Sequence, residues 1–349
     1  MPGARSKSGS HGSLRLYVLA IAAVIAAILL IAYHAGAFGL LQNLSYLLNP
    51  PQGLTLGAII IISFILGMMH GATPDEHTWP ITFSYAIGSY STKKGMKAGF
   101  AFSAGFSLQR AFLTTIGFLG LAVIYKQYNL DGPVYMIVGA AMVLAGAYVL
   151  NKKMYLHLPF DLLLHGGKHH TEEAERIPLH EAHLKPVKLK MAVAHGLIAG
   201  FGFGAYATII VFILAPQVPG LIYAPLPGLF FGLGTMVMQI IFGAVFANMA
   251  RLYSLKESEM IHVGSKTAGR TLYYGGMAFA VIGLLIIAFP FIDAVAISTG
   301  NPIPNLSSIG VATLLVLVVV GVIGIGNLIA SFAEMARLHK HKGPDKKAP

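Results

Sequence analysis

Two imidazoles and two carboxylates fall within eight residues of the stretch Met68-Met69-His70-Gly71-Ala72-Thr73-Pro74-Asp75-Glu76-His77-Thr78-Trp79-Pro80. Imidazole nitrogen and carboxylate oxygen together suit borderline divalent ions such as nickel, cobalt or zinc. Neutral imidazole is the ligand, so such a site should empty as the pH falls through about 6.5. A purely local reading competes with this. Thr73-Pro74-Asp75-Glu76 has the form of a helix start, with Thr73 as N-cap, Pro74 at the first position and Glu76 three after the cap. That reading occupies both acids and leaves His70 and His77 unexplained. The two readings are compatible, because helices broken inside a membrane are where ion sites are built. On one continuous helix His70 and His77 would share a face, but Pro74 argues against continuity.

Other residues also stand out from apolar surroundings. Arg110 lies almost midway along the run Phe102-Ser103-Ala104-Gly105-Phe106-Ser107-Leu108-Gln109-Arg110 and beyond. A central arginine costs at least ~2.5–3.5 kcal/mol on insertion scales, so it is expected to be paired or to line a wet cavity. Asp75 and Glu76 are its expected charge partners. His195, in Ala194-His195-Gly196, reads either as a polar end-residue or as a further ligand. Gln109, Gln239 and Asn248 sit on apolar runs, where each can bond a neighbouring helix. Between residues 151 and 190, His157, His165, His169, His170, His180 and His183 alternate with Glu172, Glu173, Glu175 and Glu181. Such a tract reads as a multi-site metal chelator, of which His165, His169, His170, His180 and His183 are the candidate donors.

The elements that hold these residues must be membrane helices. Of 349 residues, 56% are hydrophobic and 11% charged, against roughly 25% charged in soluble chains. Mean hydropathy is +0.71. The chain therefore reads as an all-α polytopic integral membrane protein, with the lipid bilayer as its main solvent and no nucleic-acid role despite a net charge of +11. With no cysteine, a disulfide scaffold, a thiolate metal site and a thiol nucleophile are excluded. Eight apolar runs suit a hydrocarbon core of about 30 Å: 16–33, 54–72, 98–125, 134–150, 190–214, 227–250, 271–297 and 309–334. Between them 22 of the 24 Lys and Arg residues fall on one side, the exceptions being Arg110 and Lys126. By the positive-inside rule both termini and the central loop are cytoplasmic in a multi-pass cell-membrane protein.

The loop divides the chain into an N-terminal membrane half (1–150), the His-rich loop (151–190) and a C-terminal membrane half with a basic tail (191–349). Three or four spans on each side are compatible with two structural repeats. His70-Gly71 and His195-Gly196 echo one another across the loop. On this reading the second span ends near the cytoplasm at the His70-Gly71 motif.

His70-x4-Asp75-Glu76-His77 resembles the H-x4-D-H mark of the nickel/cobalt transporter group (the NiCoT and NicO families), one residue longer. Eight spans with both ends cytoplasmic, and a His-rich cytoplasmic loop, are also similar to that group. Two stretches depart from it. Phe106-Ser107-Leu108 is followed by Gln109-Arg110 where the group has a histidine. Phe201-Gly202-Phe203-Gly204-Ala205-Tyr206-Ala207-Thr208 echoes its fifth-span motif without the acids. The resemblance implies a secondary transporter of nickel or cobalt rather than an enzyme, with the metal as substrate, no cofactor, and His70, Asp75, Glu76, His77 and His195 as metal residues. A homo-oligomer is compatible with it. The alternatives are an anion carrier built around Arg110 and an intramembrane metallohydrolase using Glu76 as base, although H-E-x-x-H spacing is absent.

Overall fold

In the computed structural model the described residues are 44–121, 127, 130–150, 184–185, 187–249 and 255–341. The first expected span (16–33) and the loop histidines His165, His169, His170, His180 and His183 lie outside them. The chain divides after Pro51. In the first unit, residues 44–48 form a short helix. All that follows concerns the second unit, Gln52–Pro349.

α1 (Leu56–Ala72) starts at Thr55, whose hydroxyl accepts the Ala58 amide at 3.3 Å. It stops at Thr73 because a residue before proline is driven out of the helical region; Thr73 has φ −86° and ψ 147°. Six residues later the helix resumes as α2 (Trp79–Ile87), with Pro80 in its first turn, where a missing N–H is harmless. A turn through Tyr90, at φ 45°, leads into α3 (Thr92–Phe118). α4 is Asp131–Val149. α5 (Leu189–Ala199) breaks at Gly200 and resumes as α6 (Ala205–Gln217), which contains a wide π-helical turn over Ile209–Leu214. α7 (Leu226–Met249) and α8 (Glu257–Ala288) follow. A four-residue helix, α9 (Phe291–Ala294), precedes a small hairpin of two antiparallel strands, β1 (Ile297–Ser298) and β2 (Ser308–Ile309). α10 (residues 311–341) closes the described chain and is π-helical over Leu317–Ile325.

Among the described residues the fold is all-α apart from that hairpin, and four helices, in α4, α7, α8 and α10, are long and apolar enough to cross a membrane. Outward-facing Leu108, Phe112, Leu144, Leu284 and Val322 are exposed, as side chains meeting lipid should be. Two boundaries differ from the sequence reading. α1 stops at Ala72, two residues past His70, and beyond the break at Pro74 a further apolar helix, α2, runs to Ile87, a piece that Pro74 disguised as loop. α8, which holds the seventh expected span, begins at Glu257, not near 271. Its 32 residues, at about 1.5 Å each, run to roughly 48 Å, longer than the hydrocarbon, so its polar first turns project beyond it.

The two sides of the central loop interlock rather than forming lobes. α7 packs along α3 and α1, α8 along α4, and α5 along α3. Glycines permit these approaches. A methyl group on Gly67 would strike the Phe231 carbonyl, and one on Gly196 the Phe102 carbonyl. α4 and α8 run antiparallel with glycines at every seventh position facing each other: Gly132 with Gly283, Gly139 with Gly276, Gly146 with Gly269. Backbones this close associate through dispersion and weak polar contacts, which lipid does not compete away. Where α1 meets α7 the chains run parallel (Gly67 at Phe231, Gly71 at Thr235). Where α3 meets α7 they run antiparallel (Gly95 at Gly243, Gly99 at Gln239).

Candidate functional site

The interruption between α1 and α2 carries the chemistry. Thr73 is not the N-cap of the next helix: its hydroxyl folds back onto the Met69 and His70 carbonyls at 3.0 and 3.3 Å, closing α1 instead. The capping reading survives in a different form. Asp75 Oδ1 accepts the His77 amide at 3.0 Å, a tight turn that aims the chain into α2. Its other oxygen, Oδ2, lies 3.6 Å from His70 Nδ1. One carboxylate thus shapes the break and also faces an imidazole. Glu76 Oε1 lies 2.9 Å from His77 Nδ1 and accepts the Tyr135 hydroxyl at 3.1 Å.

Aromatic rings hold both histidines. His70 stacks on Phe106 (5.6 Å, 13°) and is flanked by Phe231 at 5.2 Å and Tyr206 at 5.6 Å. His77 stacks on Tyr135 at 5.1 Å and meets Phe279 edge-on. His70, Asp75 and His77 are buried, and Glu76 nearly so. Even so, neither nitrogen of His70 nor Nε2 of His77 has a hydrogen-bond partner. Buried polar atoms of that kind are uncommon in native folds, because each gives up its hydration without replacement.

Among the described residues, Asp75, Glu76 and His77 form a group whose ligand atoms all lie within 4.8 Å of one another. Donors bound at about 2.1 Å to one ion can be no more than roughly 4.2 Å apart. At tetrahedral angles such donors lie roughly 3.4 Å apart, so the three would have to draw together by as much as about 1.4 Å to share a cation. His70 stands outside that trio and touches it through Asp75.

Arg110, buried at mid-helix, donates from its guanidinium to the Gly202 carbonyl at 2.8 Å. It lies over the Phe106 ring at 4.7 Å and near Phe231 at 5.7 Å, an arrangement that offsets desolvation through the ring quadrupoles. Its charge also acts on His70 and Asp75. Gly202 lies in the second interruption, between α5 and α6, and backs directly onto His77: a methyl there would sit 2.6 Å from Nδ1. The stretches Phe106–Arg110 and Phe201–Thr208 therefore both border the cluster.

His195 does not join the trio. Its Nδ1 lies 2.7 Å from the Tyr85 hydroxyl and 3.0 Å from the Met191 carbonyl. Tyr85 is six residues into α2, roughly 9 Å along the helix from the break. Sequence reasoning missed Tyr135 and Phe231, which come from helices remote in the chain and carry no local signal of their own; Gly202 and Tyr206 stood in the stretch that echoes a fifth-span motif but were not among the candidate site residues. From the hairpin loop, Asn305 donates to the Thr73 hydroxyl at 3.2 Å, and the Pro304 carbonyl accepts from Tyr206 at 3.4 Å. That loop reaches the same site.

No protein-family model, curated protein or solved structure matches the chain.

Proposed function

We propose that the chain is a secondary transporter of divalent transition-metal ions, with nickel and cobalt the best fit to its donors. The observation that carries this reading is a single break in a membrane helix that gathers two carboxylates and two imidazoles, with ring nitrogens buried and unpartnered. Imidazole and carboxylate together select borderline ions over magnesium or calcium. The donor set is also incomplete, as a carrier requires: Asp75, Glu76 and His77, with His70 adjoining, leave further positions for water or backbone carbonyls, so the ion can leave. An anion carrier is less well supported, because Arg110 already donates to Gly202 and lies against two ring faces. The proposal includes eight spans with both termini cytoplasmic, supported by the one-sided distribution of Lys and Arg.

It further includes two inverted repeats, supported by contacts that recur in pairs. Gly67 against Phe231 is matched by Gly196 against Phe102, and Gly234 against Phe64 by Gly105 against Val193. Gly99 against Gln239 is matched by Gly228 against Arg110, and Gly71 against Met238 by Gly200 against Gln109. The same number of residues separates every position from its counterpart. This exchanges α1–α2 with α5–α6 and α3 with α7. The α4–α8 glycines, centred on Gly139 and Gly276, pair about a local two-fold as well, but at a separation eight residues longer. Because α3 and α7 run antiparallel, the repeat axis lies across the helices, the arrangement used by carriers with a central site at broken helices. In this register Gly196 answers Gly67, not Gly71, so the His-Gly echo of the sequence is one turn out of register. The donors lie in one half only, since Ala199 stands opposite His70 and Gly204 opposite Asp75.

The test is flux of labelled nickel or cobalt into proteoliposomes holding the purified chain. Wild type should move metal, and His77→Ala at equal incorporation should not. Normal flux in His77→Ala would defeat the proposal.

A further inference from the structure

The repeat register gives Arg110 a counterpart. Gly228 abuts the Arg110 carbonyl as Gly99 abuts that of Gln239, which makes Arg110 and Gln239 equivalent positions on α3 and α7. Their side chains do similar things, at acceptors two residues apart in this register, in which Gly200 is the counterpart of Gly71. Gln239 Nε2 donates to the Gly71 carbonyl at 3.3 Å, in the last turn of α1 before its break. Arg110 donates to the Gly202 carbonyl at 2.8 Å, just beyond the end of α5 at its break. An interrupted helix leaves up to four carbonyls without intrahelical partners, and lipid supplies no donor for them. At Gly71 the Trp79 indole N–H, at 3.4 Å, provides a second donor.

We propose that Arg110 and Gln239 are equivalent positioning residues: each reaches from a continuous helix to hold a backbone carbonyl at the break in the opposite repeat, Gln239 in the last turn of α1 and Arg110 in the segment that follows α5. Arg110 does more than its counterpart because of what its acceptor touches. The Gly202 backbone it holds is the floor beneath the His77 ring, so the guanidinium fixes the ring through the peptide. His77 in turn meets Glu76, and Glu76 meets Tyr135. The cap needs an N–H donor on a long side chain and does not need charge; the neutral Gln239 is the demonstration in the same fold. The positive charge of Arg110 is a separate property, and it opposes a cation bound beside His70 and Asp75.

This assignment rests on the inverted-repeat and metal-site reading above, and its test separates the two. The full-length chain would be purified in detergent as wild type, Arg110→Gln, Arg110→Met, Gln239→Met and Gly202→Ala. Unfolding temperature would be measured without metal. The visible absorption of added cobalt(II), whose band shape reports its coordination geometry, would be recorded for each. Arg110→Gln should unfold close to wild type, whereas Arg110→Met and Gln239→Met should each fall by roughly 1–4 °C through loss of a buried donor. Arg110→Gln should keep the wild-type cobalt spectrum at lower half-saturating metal, since a fixed positive charge is gone. Gly202→Ala, which pushes on the ring without removing the cap, should change the spectrum. Arg110→Gln as damaged as Arg110→Met would overturn the equivalence, and so would an Arg110→Met indistinguishable from wild type. If Arg110→Met fails to fold, rescue by glutamine still decides. If wild type gives no cobalt spectrum, the metal reading fails while the unfolding temperatures still judge the caps.

Discussion

Asp75 performs two tasks with two oxygens, and a pair of substitutions separates them. Oδ1 accepts the His77 amide at 3.0 Å, and Oδ2 faces His70 at 3.6 Å as part of the donor cluster. Asp75→Asn keeps an amide oxygen for the His77 N–H, so the turn survives and the stability cost should be a few tenths of a kcal/mol. Asp75→Ala removes the turn as well and should cost about 0.5–2 kcal/mol, the range for losing a side-chain cap. Metal binding should respond differently. Both substitutions delete the anionic oxygen, and a charge-assisted contact in a buried site is worth about 1.5–3 kcal/mol. At about 1.36 kcal/mol per decade, that is a roughly 10- to 150-fold loss of affinity in either variant. Unfolding temperature and cobalt titration of the two purified variants would read both quantities. Asp75→Asn that binds and moves metal as wild type does would refute the ligand role and leave the residue as a turn former. Equal destabilisation of the two variants would refute the turn.

Other consequences are equally specific. Tyr135→Phe keeps the ring against His77 but removes the hydroxyl from Glu76, so affinity should fall about five-fold, near 1 kcal/mol, while Tyr135→Leu should fall further; equal effects would mean the hydroxyl is idle. Gly139→Ala puts a methyl 2.6 Å from the Gly276 carbonyl and should lower the unfolding temperature, whereas Gly321→Ala, with nothing within 4 Å, should not. The hairpin loop contacts Thr73 and Tyr206, so with no native cysteine a Thr73→Cys thiol gives a clean report. It should resist an impermeant thiol reagent applied from outside until residues 300–306 are replaced by a short Gly-Ser link; fast labelling of the intact protein would show that this loop does not cover the site.

What the sequence determined follows from the solvent. Lipid requires each crossing segment to satisfy its own backbone and to be apolar for about 20 residues, so the positions of α4, α7 and α10 were legible to within a few residues. The motif from His70 to His77 was legible for a similar reason, since charge and imidazole have no cause to be in such a run otherwise. Tertiary structure alone decided the rest. Pro74 announced a break but not that a second apolar helix, Trp79–Ile87, would follow it, because a short apolar helix has no distinct period. Tyr135, Gly202, Tyr206, Phe231 and Gln239 belong to the site only because distant helices meet there, and helix pairing in lipid is set by shape, not by hydrophobicity. The glycines at 132, 139 and 146 could be counted in the sequence. That they face 283, 276 and 269 is a fact of register, and register exists only once two helices have packed.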